Sequence, residues 1–536
     1  MTGSPPPRHA PAVAGVQRVR STVGLGARAV ARRLAPRWGP DDDQRWANWA
    51  AAPGRPTFSV LLPTFESDPK WLQEAVESVK KQVYPHWQLC IADDASTSTA
   101  VHDMLDDLAR DPRVTIVRRL QNGHISKASN DALSLATGDY VVLLDHDDAL
   151  APLALLLCAT AVVRDPGLRL LFTDEDKVDE EGRRSAPYRK RPLDRDLLLS
   201  HNAISHLGVV STHLVREVGG FREGLEGSQD HDLVLRCLER LDDSQVRHLP
   251  FVLYHWRTTP QSTAGGGEAK PYAVDAGRRA IREHLGRQGH SVDVTYVSDM
   301  GYRVTPSAAL ITEDPIVAVE VPLGASGADL NRAVRACSAA EVVLLAQGTC
   351  LTSETWQQEL RLRLHRPGVG AVGGRVADTL GRTVDGALGV SGRPWVGLGR
   401  PLYASAGTVP FAVDRLEQSV SALSSAFLAI RRDIFEQIGG FDDTLGAAAD
   451  VDLCLKLHQA GLRCSYLPWI VASPGAGPVR RSWPDSLRVR ARWRPPARDP
   501  RYPAAFRYRR LGWRPRVWED DSGVQWLRSH EARGKD

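Results

Sequence analysis

Carboxylates gather in this sequence at the ends of apolar runs. The run Tyr140-Val141-Val142-Leu143-Leu144 stops against Asp145-His146-Asp147-Asp148. Five consecutive apolar residues, mostly branched, have the length of a strand buried on both faces. A second run, Gln88–Ala92, ends in Asp93-Asp94, and a third, Leu168–Phe172, in Thr173-Asp174-Glu175-Asp176-Lys177. In an open α/β sheet, ligands sit at the carboxyl ends of strands. Carboxylates crowded there repel one another unless a hard cation intervenes, and Mg²⁺ or Mn²⁺ commonly binds through one or two of them plus substrate phosphates. Three acidic strand ends are expected to converge on one edge, which would distinguish a site from a solvated acidic turn. A further carboxylate, Asp230, follows the expected N-cap Ser228 in the first turn of a helix beginning near Gln229. The positive end of the helix dipole attracts it there. Asp232 precedes Arg236 by four residues and reads as a helix-surface ion pair.

These residues need elements to place them. Phe58–Leu62 reads as the first strand, followed by a loop and a helix with Asp68 as N-cap, Pro69 at its first position and Leu72, Ala75, Val76 and Val79 on one face. Val114–Val117 is a further strand, and His124–Ala136, Pro152–Val163 and Tyr272–Arg287 read as helices. Strands alternating with helices imply an α/β fold: a Rossmann-like, mostly parallel sheet with flanking helices and right-handed crossovers.

At 536 residues, two domains plus tails are expected. The composition, 42% apolar and 25% charged, is that of a globular protein, and no apolar run approaches the ~20 residues that span a bilayer. No signal peptide is visible, and seven cysteines without a CxxC pair argue against a disulfide framework or zinc site, so a cytoplasmic setting is expected. The net charge of +4 conceals an asymmetry: residues 1–56 carry +6, residues 471–536 carry +9, and the body between them −11. An acidic body whose candidate site is itself acidic excludes a nucleic-acid-binding profile. The basic ends suit peripheral contact with anionic lipid head groups at the inner face of a membrane, or are solvated arms. Val16–Trp38 could form a basic amphipathic helix, and Arg480–Arg516 interleaves Arg with aromatic residues.

From Val317 the pattern begins again. Glu341–Ala346 echoes the central strand, Ile438-Gly439-Gly440-Phe441 echoes Val218-Gly219-Gly220-Phe221, and Asp450-Val451-Asp452-Leu453 echoes Asp230-His231-Asp232-Leu233. Where the first copy has Asp145-His146-Asp147, the second has Ala346-Gln347-Gly348, which cannot hold a divalent cation. The expected organisation is a basic arm at 1–56, a catalytic domain at 57–300, a degenerate second copy at 315–475 and an Arg/Trp-rich tail at 476–536.

Taken together, Pro63-Thr64-Phe65, Asp93-Asp94-Ala95-Ser96, Gly123…Asn130, Asp145-His146-Asp147-Asp148 and Gln229-Asp230 resemble glycosyltransferase family 2. Thr173–Lys177, Glu226–Leu233 and Tyr254–Ala264 look like the branch that builds O-antigen-type surface polysaccharides, including rhamnosyltransferases. The resemblance implies a GT-A fold and an inverting, metal-dependent transfer of a sugar from a nucleotide-sugar donor to a glycan or lipid-linked acceptor. It implies that Pro63, Thr64 and Glu66 line the nucleotide pocket, with Asp94 accepting from the base and Asp93 beside it. Gly123 and Asn130 belong to the same nucleotide-sugar site. Asp145 would face the ribose or the metal, Asp147 would ligate Mg²⁺ or Mn²⁺, and Asp230 would be the general base. His255 would approach the metal or diphosphate, or is a packed histidine. The chain departs from the family's usual Glu-Asp at Gln229-Asp230, and Ser129 stands before Asn130 where Arg is usual. Two other readings share these features. A sugar nucleotidyltransferase would need a Gly-rich basic loop after the first strand, where this chain has Pro63–Pro69 without Gly or Arg. A non-catalytic glycan-binding or assembly protein is compatible with the degenerate copy.

Overall fold

The computed structural model describes residues 40–258, 271–297, 301–307, 315–390, 392, 400–401, 415–473, 478–496, 499–501, 506–509 and 512–515. The described residues divide into two units, residues 40–51 belonging to the first and those from 52 onward to the second. The described part of the first includes helix Pro40–Ala50, in which Trp46 meets Trp49 edge to face at 5.5 Å. The amphipathic helix expected at Val16–Trp38 and much of the Arg/Trp-rich tail lie outside the described residues.

The second unit is built on two sheets. Strands of the first are β1 Phe58–Thr64, β2 Trp87–Asp93, β3 Val114–Arg118, β4 Tyr140–Leu143, β5 Ala149–Leu150, β6 Leu170–Val178, β7 Arg184–Tyr188, β8 Gly208–Ser211 and β9 Val246–Arg257. Their order is β3-β2-β1-β4-β8-β6-β9-β5, with β7 against β6. The first four are parallel, as the strand–helix alternation predicts. Beyond them the sheet is mixed, because β8 runs antiparallel to both β4 and β6. Helix Pro69–Lys80 forms as its sequence dictates: Asp68 accepts the N–H of Lys70 at 2.8 Å, and Leu72, Ala75, Val76 and Val79 are buried.

One expectation fails here. Thr173–Lys177 does not end a strand but continues β6, and its carboxylates are buried and partnered. Asp174 takes His248 at 2.8 Å, Glu175 takes Lys190 at 2.9 Å, and Asp176 takes Arg184 and His255, each at 2.7 Å. Buried charges persist only when paired, and these pairs let the strand run on through polar sequence.

The second sheet repeats the first. Val317–Val321 lies parallel to Glu341–Ala346, which is antiparallel to Phe427–Arg431, and that strand is antiparallel to Val369–Ala377. Val369–Ala377 is parallel to Arg463–Ser473 and antiparallel to Thr383–Asp385, and Arg463–Ser473 takes Cys350–Leu351 antiparallel. These six pairings match β1/β4, β4/β8, β8/β6, β6/β9, β6/β7 and β9/β5 in order and sense. Nothing among the described residues takes the place of β2 and β3.

Candidate active site

A cleft of about 1150 Å³ opens at the ends of β1, β2 and β4. Pro63 and Thr64 from β1, Asp94 after β2, Asp145 after β4 and Asp230 from helix Gln229–Leu238 all line it. Carboxylates from three separate elements thus meet on one cavity. Asp94 is buried, and its Oδ1 accepts the N–H of Gly123 at 2.8 Å and pairs with Arg119 at 2.8 Å. Asp230 Oδ2 accepts from the Asn202 amide at 2.6 Å. Ser228 stands at the N-cap of that helix, as expected, but its hydroxyl makes no capping bond and donates to Ala273 O at 3.0 Å.

Six expected contacts lie outside the lining. Glu66 turns to Thr97, accepting its N–H at 2.7 Å and its hydroxyl at 2.9 Å. Asp93 accepts the N–H of Ser96 and faces His102, fixing the same loop. Gly123 supports Asp94 from behind, and a Cβ there would come within 2.6 Å of Arg119 Nη2. Asn130 spends both ends of its amide on Phe221, donating to its carbonyl at 2.7 Å and accepting its N–H at 2.8 Å. Asn331 holds Phe441 in the same way, at 2.8 and 2.9 Å, in the copy that lacks the acidic loop. A clamp shared with the copy that lacks the acidic loop supports an architectural role for Asn130, whose side chain is not among those lining the cleft.

Asp147 and His255 are the other two. His255 gives Nδ1 to Asp176 at 2.7 Å. Side chains alternate along a strand: Tyr254 stacks on His206 at 4.5 Å and Trp256 lies 5.4 Å from it, while His255 between them meets Asp176. The histidine beside Asp145 is therefore His206, with Nε2 3.6 Å from Asp145 and Nδ1 3.5 Å from Glu175. Burial opposes a charge on His206, but its bonds to Asp145 and Glu175 hold its pKa well above the usual imidazole range. Burial likewise works against Glu175, yet Lys190 and His206 bring it down to about 2.

The groups near enough to share a cation, among the described residues, are Asp145, Asp148 and His206. Two of the three are poor donors as they stand. Asp148 accepts the Tyr254 hydroxyl at 2.5 Å and the Arg257 N–H at 2.7 Å, one on each oxygen. His206 sits between Asp145 and Glu175, which favour its protonated form and so make it a poorer donor. Asp147 differs: its carboxylate has no hydrogen-bond partner from another described residue, and burial, then the charge of Asp145, raise it above the usual carboxylate range. Asp145 is nearly half exposed to the cleft, its side chain 45% accessible. Of the grouped residues, accessible Asp145 is the carboxylate left open to a hard cation completed by phosphate oxygens, while Asp147 lies outside both that group and the cleft lining.

The second copy shows the contrast. Asp450, the counterpart of Asp230, is fully buried, and Arg481 holds both its oxygens at 3.0 and 2.6 Å. The position that opens on a cleft in one copy is closed by a guanidinium in the other.

Residues 59–219 match the family described as glycosyl transferase family 2. An uncharacterised protein of Sinorhizobium fredii, y4gI, is 38% identical over 77% of this chain and 52% of its own length. The O-antigen biosynthesis protein RfbC of Myxococcus xanthus is 31% identical over 76% of this chain and 36% of its own. The chain thus spans about half or less of these relatives. Among solved structures, S. aureus TarS 1-349 in complex with UDP-GlcNAc aligns with 43% of this chain and 66% of its own, at 18% identity and a TM-score of 0.36, too loose a likeness to carry an argument.

Proposed function

We propose, from the premise that residues 59–219 form a glycosyltransferase family 2 domain, that the protein transfers a hexosyl or rhamnosyl group from a nucleotide-sugar to a glycan or lipid-linked glycan in surface-polysaccharide synthesis. The observation that carries this reading is the meeting of Asp94, Asp145 and Asp230 on one cleft. The nucleotide lies along Pro63 and Thr64 with its base toward Asp94. The acceptor hydroxyl lies against Asp230, which takes its proton as the oxygen attacks the anomeric carbon from the face opposite the leaving diphosphate. One bond forms and one breaks in a single displacement, so the configuration inverts and one base suffices. Asn202 fixes the carboxylate of Asp230 for that transfer. Asp145 and Asp147 would hold Mg²⁺ or Mn²⁺, which supplies charge neutralisation at the diphosphate. His206, whose protonated form Asp145 and Glu175 favour, would add positive charge where a leaving diphosphate gathers negative charge.

No helix among the described residues is long and apolar enough to cross a membrane. The basic ends suit peripheral attachment at the inner face of the cell membrane, where lipid-linked acceptors would be met.

The reading is tested by thermal shift of the purified chain against a panel of nucleotide-sugars with Mn²⁺ present. One donor is expected to raise Tm, and Asp94→Ala to abolish that shift. No stabilisation by any nucleotide-sugar would sink it.

A further inference from the structure

The second sheet lacks the acidic strand end and its base position is closed, yet it reaches the active cleft indirectly. Residues 189–206 leave β7 and return to β8, carrying Asn202 and His206 into the cleft. In the first half of that segment, Arg191, Asp194 and Asp196 are buried against the second sheet. Arg191 donates to Gln418 Oε1 and to Ser419 O, each at 2.5 Å. Asp194 receives the N–H of Ser419 at 3.0 Å. Asp196 receives the hydroxyls of Ser419 at 3.1 Å and Ser465 at 2.5 Å, and pairs with Arg463 at 3.2 Å. Leu197 packs on Leu416. Asp194 is 6% and Asp196 1% exposed. Charges this deeply buried are tolerable only with their partners in place, and these partners stand more than 220 residues away in the chain.

Past Leu199, the segment is tied to the chemistry. Lys190, the neighbour of Arg191, donates to the carbonyls of Ile204 and His206 and pairs with Glu175. Asn202 holds both Asp230 and, through its Oδ1, the N–H of Ser205.

We infer that the degenerate second copy is a brace: through Ser419, Arg463 and Ser465 it clamps Arg191, Asp194 and Asp196, and so sets the position of Asn202 against Asp230 and of His206 against Asp145. Ser419, Arg463 and Ser465 are positioning residues, acting through the segment they hold. The kcat arm of the test rests on the glycosyltransferase reading; the exchange arm does not.

Hydrogen–deuterium exchange on the full chain, without substrate, tests the brace. Arg463→Gln and the milder Ser465→Ala are expected to speed exchange of peptides spanning residues 197–207 by about tenfold or more, with β1 and β2 unchanged. Arg463→Lys should restore part of the protection. For the sugar donor that the thermal-shift panel identifies, kcat should fall by about tenfold to a hundredfold while donor KM stays within about twofold, since Pro63, Thr64 and Asp94 are untouched. Unchanged exchange at 197–207, exchange rising equally across β1 and β2, or a loss of kcat matched by an equal rise in donor KM would overturn the inference. If no donor is turned over by the wild type, the proposed function fails while the exchange result still decides the brace.

Discussion

His201 and His206 are five residues apart in one segment and are driven in opposite directions. Burial, followed by His231 and Lys190, brings His201 down to about 3, whereas the carboxylates around His206 raise it. The folded chain therefore refuses a proton at His201 that the unfolded chain accepts between about pH 6.5 and about pH 3. A depressed histidine contributes no penalty above the unfolded value of about 6.5, and stability is lost as pH falls below it, by up to ~1.4 kcal/mol per pH unit. Urea unfolding of His201→Phe from pH 7 to 4 should show a shallower loss than the wild type. Equal slopes would mean that His201 does not titrate as its surroundings dictate. At this scale Asp94 and Asp145 were legible as cleft residues because each follows an apolar run, although the same pattern after Leu168–Phe172 leads into a continuing strand. Asn202 and His206 were not, because they lie on an irregular segment whose placement depends on tertiary contacts. Of the two readings open for His255, the bond to Asp176 favours the packed histidine, a choice set by strand phase, which local sequence leaves open.

Among the elements, the two asparagine clamps carry the clearest consequence. Asn130 and Asn331 each bind both backbone polar groups of a phenylalanine after a Gly-Gly turn, where Gly220 and Gly440 have φ of +68° and +65°. Removing either amide leaves a buried N–H and C=O unpaired. Asn130→Ala and Asn331→Ala should each cost about 1–3 kcal/mol in denaturant titrations. Asn130→Ala should leave the affinity for a nucleotide-sugar unchanged at temperatures where it is folded; a weakened donor Kd would return Asn130 to the nucleotide site. Helix Pro69–Lys80 and the first parallel strands were readable from capping, periodicity and apolar runs. The continuation of β6 through Thr173–Lys177 was not, since its acidic residues suit a strand only because Lys190, His248, His255 and Arg184 meet them.

For the molecule as a whole, six strand pairings recur in the same order, and the sequence echoes at Gly-Gly-Phe and Asp-x-Asp pointed to that repeat. What joins the copies was hidden, because polar and ionic contacts between residues more than 220 positions apart leave no local pattern. The copies also differ in how they treat one carboxylate: Asp230 faces a cleft, whereas Asp450 is sealed by Arg481. Arg481→Met should strand a buried charge and destabilise the protein by about 3–5 kcal/mol. Combining it with Asp450→Asn should recover a good part of that loss, which calorimetry can resolve. No recovery would mean that Arg481 stabilises by packing and not by charge.

The account turns on Asp230 taking the proton of an acceptor hydroxyl. Turnover and donor affinity of Asp230→Asn, measured side by side with the wild type, test this most directly. Loss of a general base should cut turnover by about 10²–10⁴-fold while donor Kd stays within about twofold. Turnover within a few-fold of wild type, or donor binding lost in step with it, would contradict the assignment.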